Sequence, residues 1–211
     1  MSERAVLFVD GNNWYHGLKD AGVTDQGRLD YVQIAQKLVG PRIWQGTRYY
    51  IGRVQQTGNK RLYAEQRSFL ARLKSADKRI TAHLGRLEPR QVKSEAAQEL
   101  LQYLASLKTT IDVQVFKDLV AIGQRHKVAR VMVEKAVDVM LAVDLVTMAE
   151  RDLFDCAYIL SADGDYTHAV TSVRERGKKV FAVSASHGAQ LAAAVNSFIR
   201  INAAWFADCY Q

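Results

Sequence analysis

Two short apolar runs that end abruptly in acid-bearing turns constrain the fold of this chain more than any other feature. The first run, residues 5–9, stops at Asp10-Gly11-Asn12-Asn13, and the second, residues 158–160, stops at Ser161-Ala162-Asp163-Gly164-Asp165. Such runs are typical of buried strands that end at the edge of a sheet. Ligands bind at the carboxyl ends of the strands in an open α/β sheet, so acids in these turns are candidates for a site.

If the two strands are parallel neighbours, Asp10, Asp163 and Asp165 converge at one edge of the sheet. Carboxylates gathered in one place repel one another unless a proton or a cation lies between them, and a divalent metal would offset that cost. The alternative is that one aspartate of the second turn caps the helix that begins near Tyr166, while the other is solvated.

The rest of the chain alternates between strand and helix patterns. We predict strands at residues 5–9, 45–54, 80–87, 157–160 and 180–183, helices at 14–21, 30–38, 60–76, 95–107, 134–149, 167–176 and 189–198, and a short closing helix around Trp205. This alternation indicates an α/β fold, a three-layer α/β/α sandwich with a mostly parallel sheet. We expect a single domain over residues 1–211. Residues 88–130 form a basic, partly helical insertion within it, in which residues 111–116 alternate like a strand or a hairpin arm.

The predicted helix at 134–149 carries two aspartates on an apolar segment. Asp138 and Asp144 are six positions apart, or about 120° around the helix axis, so both cannot point the same way. Asp138, near the helix start, is well placed to face the other carboxylates, with a salt bridge to Lys135 as the structural alternative. Asp144 is expected at the margin of the site or bonded to a neighbouring backbone turn.

The charge of the chain is unevenly distributed. The formal net charge is +7, but residues 41–130 hold 18 Lys and Arg against 7 Asp and Glu, and the remaining residues hold 11 against 15. A basic surface beside an acidic, metal-binding centre suits a polyanion such as nucleic acid, although basic helices are often simply solvated. No stretch approaches 18 apolar residues, so we expect no membrane partner and a cytoplasmic protein.

Three motifs give the chain a family resemblance. FVDGNN at the first strand, EKAVDVMLAVD in the acidic helix and ILSADGDYTHAVTSVRERGKKV near the C-terminus resemble the NYN domain family, the LabA-like branch of the PIN-like nucleases. The resemblance runs from Ala5 to about Ser184, apart from the central basic stretch. The family pattern usually has glycine where this chain has Ala136, and SGDSDF where it has SADGDY.

The resemblance implies a metal-dependent endoribonuclease that acts on single-stranded or structured RNA. Asp10, Asp138, Asp163 and Asp165 would be the Mg²⁺ or Mn²⁺ ligands, since hard carboxylate oxygens suit these ions. Asn13 would position a water or a substrate phosphate, Ser161 would bond a ligand carboxylate, and Lys135 could add a cation beside the phosphate.

The mechanism that fits is in-line attack of a metal-activated water on a phosphodiester. A non-catalytic module that binds RNA or protein on the same fold is the main alternative. A phosphatase with a DxD-type turn is disfavoured, because Asn12 stands where its second acid would be. We assign no role to the five histidines, including His16. The sequence does not determine the oligomeric state, and a homodimer is one of the states that it allows.

Overall fold

The structure, a computed structural model, describes residues 2–56, 59–107 and 111–210. The chain divides into two compact units. The first consists of Met1–Arg86 with Glu134–Gln211, and the second is Leu87–Val133. That residues 88–130 are an insertion in a single domain stays a prediction.

The described residues contain the following helices and strands, in chain order. They are β1 (Arg4–Asp10), α1 (Gly11–Asp20), α2 (Tyr31–Val39), β2 (Ile43–Arg53), α3 (Lys60–Ala76), β3 (Ile80–Lys93), α4 (Glu95–Ser106), α5 (Val113–His126), β4 (Val128–Lys135), α6 (Val137–Glu150), β5 (Cys156–Leu160), α7 (Thr167–Glu175), β6 (Lys179–Ser184), α8 (Ala189–Ala194) and β7 (Ser197–Arg200). Three short 3₁₀ helices lie at Gln26–Arg28, Gly164–Tyr166 and Ala203–Phe206.

The strands form one sheet in the order β4-β3-β2-β1-β5-β6-β7. The five pairings from β3 to β7 are all parallel, and β1 lies between β2 and β5. Parallel strands need crossover connections, which here are helices, so both faces of the sheet are covered. This confirms the predicted α/β/α sandwich.

The core of the first unit has two halves, one on each face of the sheet. Leu7 of β1 packs with Trp14 of α1 and Ile34 of α2 on one face, whereas Phe8 packs with Leu141 of α6 on the other. Successive strand side chains point to opposite faces, so a strand buried on both faces is a continuous apolar run. Residues 5–9 of β1 and residues 156–160 of β5 are therefore apolar up to their acid-bearing turns.

The second unit buries few side chains. Helices α4 and α5 begin at residues whose side chains accept backbone N–H groups, Ser94 and Asp112 respectively. Ala97 and Leu104 are buried, and Gly123 lies against the side chain of Leu101. The described helices of both units include none that is long and apolar enough to cross a membrane.

Two predicted elements are wrong. Residues 111–116 do not form a strand: the Asp112 side chain accepts the N–H groups of Gln114 and Val115, which starts α5 instead. The predicted helix at 189–198 ends at Ala194, because Asn196 pairs with β6 through its backbone N–H and its side-chain Oδ1, both bonded to Val180. The chain then continues as β7.

The acidic helix begins later than predicted. Residues 128–135 form the strand β4, and α6 starts at Val137, so Glu134 and Lys135 belong to a strand end. Ala136 joins the two elements with a positive φ of 72°. The sharp turn at this residue separates Glu134 from Asp138.

Candidate active site

Asp10 is the last residue of β1, and α1 begins at the next residue without a loop. Its Oδ1 accepts the backbone N–H of Asn13 at 3.1 Å and so caps the helix. A Cβ at Gly11 would lie 2.7 Å from the carbonyl oxygen of Tyr50 and 2.7 Å from the ring of Tyr49. The tight turn behind Asp10 therefore requires glycine.

The carboxylate of Asp10 is buried beneath the end of β5. Val9 pairs with Leu160 across β1 and β5, so the next residues, Asp10 and Ser161, emerge side by side. Asp10 Oδ2 accepts hydrogen bonds from Ser161 Oγ at 3.2 Å and from the Tyr166 hydroxyl at 3.0 Å. Burial raises the pKa of Asp10 and the charge of Asp138 adds to the rise, although the hydrogen bonds oppose it.

Tyr166 lies between two carboxylates. Its hydroxyl is 3.0 Å from Asp10 Oδ2 and 3.0 Å from Asp138 Oδ1. Burial, followed by the charges of both aspartates, raises the pKa of Tyr166 far above its usual range, so the phenol keeps its proton. One hydroxyl proton can serve only one acceptor at a time, so the two carboxylates compete for it.

The turn after β5 is held by side chains of the same cluster. Asn13 Oδ1 accepts the N–H of Ala162 at 3.0 Å, and Ser161 Oγ accepts the N–H of Asp163 at 3.1 Å. Asp163 Oδ1 accepts the N–H of Asp165 at 3.0 Å and so caps the following 3₁₀ helix. This network fixes the position of Asp163 relative to β1.

Glu134 is a fourth acid at this edge, and the sequence analysis gave it no site role. Its Oε2 accepts the N–H of Gly52, the penultimate residue of β2, at 2.7 Å. Burial raises the pKa of Glu134, and the charges of Asp10 and Asp138 add to the rise against the hydrogen bond from Gly52. The available signal was an acid directly after the apolar Val131-Met132-Val133, the pattern already seen at Asp10.

These side chains surround an open cleft of about 500 Å³. The lining residues are Asp10, Asn12, Asn13, His16, Gly17, Asp20, Glu134, Asp138, Asp163 and Ser186. Five of them are acids, and this lining contains no Lys or Arg. The cleft is therefore strongly anionic and carries no resident counter-ion from the lining side chains.

The structure brings together four of the predicted residues, Asp10, Asn13, Asp138 and Asp163, around this cleft, with Ser161 bonded behind Asp10. The fifth, Asp165, is exposed and does not line the cleft. Its role as a ligand stays a prediction from the resemblance.

Asp144 and Lys135 do not line the cleft. Asp144 accepts hydrogen bonds from Tyr50 at 2.7 Å and Arg48 at 2.8 Å, rather than from a backbone turn. Burial opposes ionisation, but these hydrogen bonds and the Arg48 charge lower the pKa of Asp144. Lys135 is exposed, and no ion pair joins it to Asp138 among the residues that the structure describes.

The donor chemistry of the cleft fits a hard divalent cation. Within the described residues, no three His, Cys, Asp or Glu side chains converge closely enough to enclose an ion on their own. Mg²⁺ usually keeps several waters and binds through one or two carboxylates, completed by substrate phosphates. Buried Asp10, with Asp138 and Asp163 across the same cleft, is a donor set of that kind.

A mostly parallel sheet between two helical layers, with acids gathered at the carboxyl edge of its central strands, is consistent with the PIN-like class of α/β/α proteins. Within that class, the chain belongs to the NYN domain family, whose sequence profile matches residues 4–202. This family has a PIN-like nuclease fold.

A solved structure has a similar fold over most of the chain. It is a protein of unknown function from Vibrio parahaemolyticus, 17% identical to this chain, with a TM-score of 0.55. The similarity covers 95% of this chain and 94% of that chain. No curated protein matches the chain.

Proposed function

We propose that this protein is a metal-dependent endoribonuclease, of the LabA-like branch of its family, that hydrolyses phosphodiester bonds in RNA. The observation that carries the proposal is the buried Asp10 at the base of a cleft with five acids and no lining Lys or Arg. Stability does not call for such a gathering, since burial and the neighbouring charges raise the pKa of Asp10 and of Glu134. A cation bound between them would offset the cost.

Asp10, Asp138, Asp163 and Glu134 are the residues that would hold Mg²⁺ or Mn²⁺. A bound ion would supply Lewis acidity at the phosphate and a lower pKa for the attacking water. The chain itself fixes the donors in advance: Ser161 and Tyr166 hold Asp10.

Asn13 would bind the substrate. Its Oδ1 is engaged by the N–H of Ala162, which leaves the two Nδ2 protons of this cleft-lining residue as donors. Donors suit the unesterified oxygens of a phosphodiester, which become more negative as water attacks. Asn13 would therefore orient the phosphate while the acids of the cleft stay ligated to the cation.

The test is cleavage of end-labelled single-stranded and structured RNA with Mn²⁺ or Mg²⁺. We expect Asp10→Asn and Asp163→Asn each to lose about 100-fold or more in rate, because several kcal/mol of charge stabilisation are at stake. Asp25→Asn is the matched control. Asp25 is exposed, its side chain makes no capping hydrogen bond, and its left-handed conformation suits asparagine.

The pattern of products separates the classes. Internal fragments that require the metal and vanish in both cleft variants support the proposal. An inert wild type that still binds RNA would instead assign the non-catalytic binding module, and release of phosphate from small phosphate esters alone would assign a phosphatase.

A further inference from the structure

Helix α3 carries a row of cations on one flank. Lys60, Arg67 and Lys74 are spaced by seven residues and exposed. A seven-residue spacing drifts only about 20° around an α-helix, so the three side chains leave the same side of it. The face that contacts the core is a different one, formed by Gln66, Leu73 and their neighbours.

The opposite flank of α3 is also cationic, but its side chains are already engaged within the protein. Arg61 pairs with Glu65 at 2.8 Å, and Arg72 donates to Ser68 Oγ at 2.8 Å and to the carbonyl of Gly27 at 2.9 Å. Lys60, Arg67 and Lys74 show no such hydrogen bond or ion pair to any residue in the described ranges. The two flanks of one helix therefore differ in whether their cations are available to a partner.

Helix stability does not explain the first member of the row. Lys60 is the first residue of α3, and the first turn contains no acid. The amino end of a helix carries a partial positive charge, so a cation there is unfavourable. Lys60 thus adds to a repulsion that an anionic partner would relieve.

Helix α3 is hydrogen-bonded to the end of β2, and β2 in turn is hydrogen-bonded to Glu134 of the cleft. The side chain of Gln66 accepts the N–H of Val54 at 2.9 Å and donates to the carbonyl of Gly52 at 2.8 Å. The N–H of the same Gly52 is the one bonded by Glu134. Arg53 lies between Gly52 and Val54 at the carboxyl end of β2 and is exposed. It adds a fourth cation near the strand end that bonds Glu134.

The anionic cleft can accommodate one metal-neutralised phosphate, but it repels the neighbouring phosphates of a long substrate. Those need cations outside the cleft, and the distance along α3 from Lys60 to Lys74 is about 21 Å, which is enough for several nucleotides. The small Ala64 and Ala71 lie between the cations along this flank and leave room for a polynucleotide backbone beside them.

We propose that Arg53, Lys60, Arg67 and Lys74 form the track that holds the backbone of single-stranded RNA on one side of the bond cut in the cleft. This inference rests on the proposed function. It adds the direction in which the substrate leaves the cleft, along α3 and away from the carboxyl edge of the sheet.

The test measures binding without cleavage. A labelled 20-nucleotide single-stranded RNA is titrated in EDTA against the Asp10→Asn protein at several salt concentrations. The variant Lys60→Gln/Arg67→Gln should lower the slope of log Kd against log salt by about 1.4, since each phosphate contact on a single strand contributes about 0.7. Arg61→Gln/Arg72→Gln, on the same helix with the same loss of charge, should change the slope far less.

If the two double variants have equal slopes of log Kd against log salt, the proposed RNA track along α3 is wrong. Because the assay needs no turnover, an inactive wild type would refute the proposed ribonuclease while the slopes still decide whether this flank binds RNA. If the wild type cleaves RNA but the row variant binds with an unchanged slope, the ribonuclease stands and the track is wrong.

Discussion

Asp10 combines burial with three hydrogen-bond donors, and the two act in opposite directions on its charge. Loss of hydration favours the protonated acid, whereas Asn13, Ser161 and Tyr166 favour the carboxylate. The net effect raises its pKa. A residue held this way is destabilising when ionised and becomes useful when a cation is near, which is the usual balance at a functional site.

This balance predicts a pH-dependent effect of Asp10→Asn on stability. Because the pKa of Asp10 is raised in the folded state, its contribution to stability is full below the unfolded value of about 3.9 and falls as the pH rises through the folded pKa. Asparagine does not titrate, so the unfolding midpoint of Asp10→Asn relative to wild type should increase from pH 4 to pH 8 in metal-free buffer. Parallel curves in thermal melts over this range would contradict the assignment.

Tyr166 predicts a second effect at the residue scale. Phenylalanine would remove the hydroxyl that bonds both Asp10 and Asp138. The pKa of Asp10 should then rise further, and the acid limb of the pH–rate profile for RNA cleavage should move to higher pH. Removing a partner from a buried charged group should also cost about 1–3 kcal/mol of stability. Tyr210→Phe, whose hydroxyl donates to the carbonyl of Thr24 at the surface, is the control and should leave the profile in place.

At the scale of elements, the strand ends and the turns that follow them determine where the site residues lie. Asp10 and Ser161 end neighbouring parallel strands, and Glu134 and Asp138 flank the turn between β4 and α6. That turn is made by Ala136 with a positive φ of 72°. A side chain in the left-handed region costs about 1–2 kcal/mol, and the family pattern to which the chain is similar has glycine at this position.

Ala136→Gly should therefore stabilise the protein by about 0.5–1 kcal/mol, since relief of the left-handed strain outweighs the greater freedom of glycine when unfolded. Urea unfolding measures the change. Ala71→Gly, an exposed alanine in the middle of α3, is the control and should destabilise by about 1 kcal/mol. If both variants lose stability alike, the turn at Ala136 does not carry strain.

The elements also show what the sequence could predict and why. Helices α2 and α3 lie within a residue of their predicted bounds, because Asp30 and Asn59 cap them and their apolar faces are periodic. The alternation at residues 111–116 was misleading, since Val113 and Val115 are both exposed and alternate against no buried face. Missing β4 then placed Glu134 on a helix and removed it from the candidate acids.

At the scale of the whole molecule, the fold could be predicted because alternating strands and helices leave few arrangements. The convergence of Asp10 and Asp163 follows from parallel neighbours alone. The hydrogen bonds of Tyr166 to Asp10 and Asp138, and those of Arg48 and Tyr50 to Asp144, join residues that are far apart in the sequence. Periodicity indicates which face of α6 is buried, but it does not pair the acids of α6 with side chains on other elements.

Charge at this scale is separated between surfaces. Five acids of the first unit line one cleft, while the cations of α3 are divided between a flank with described partners and a flank without them. A polyanion that brings one phosphate to a cation in the cleft and its neighbours to the basic flank would satisfy both surfaces. The separation of charge therefore fits a single substrate that contacts both the cleft and the basic flank of α3.

The most direct measurement is a Mn²⁺ titration followed by the thermal unfolding midpoint of the protein. A ligand at 100 times its Kd stabilises by about 2.7 kcal/mol, which for a chain of this size is a shift of about 5–10 °C. The account predicts such a shift for wild type and Asp25→Asn, and its loss in Asp10→Asn and Asp163→Asn. A wild type unmoved by millimolar Mn²⁺, or a shift of equal size in the cleft variants, would contradict it.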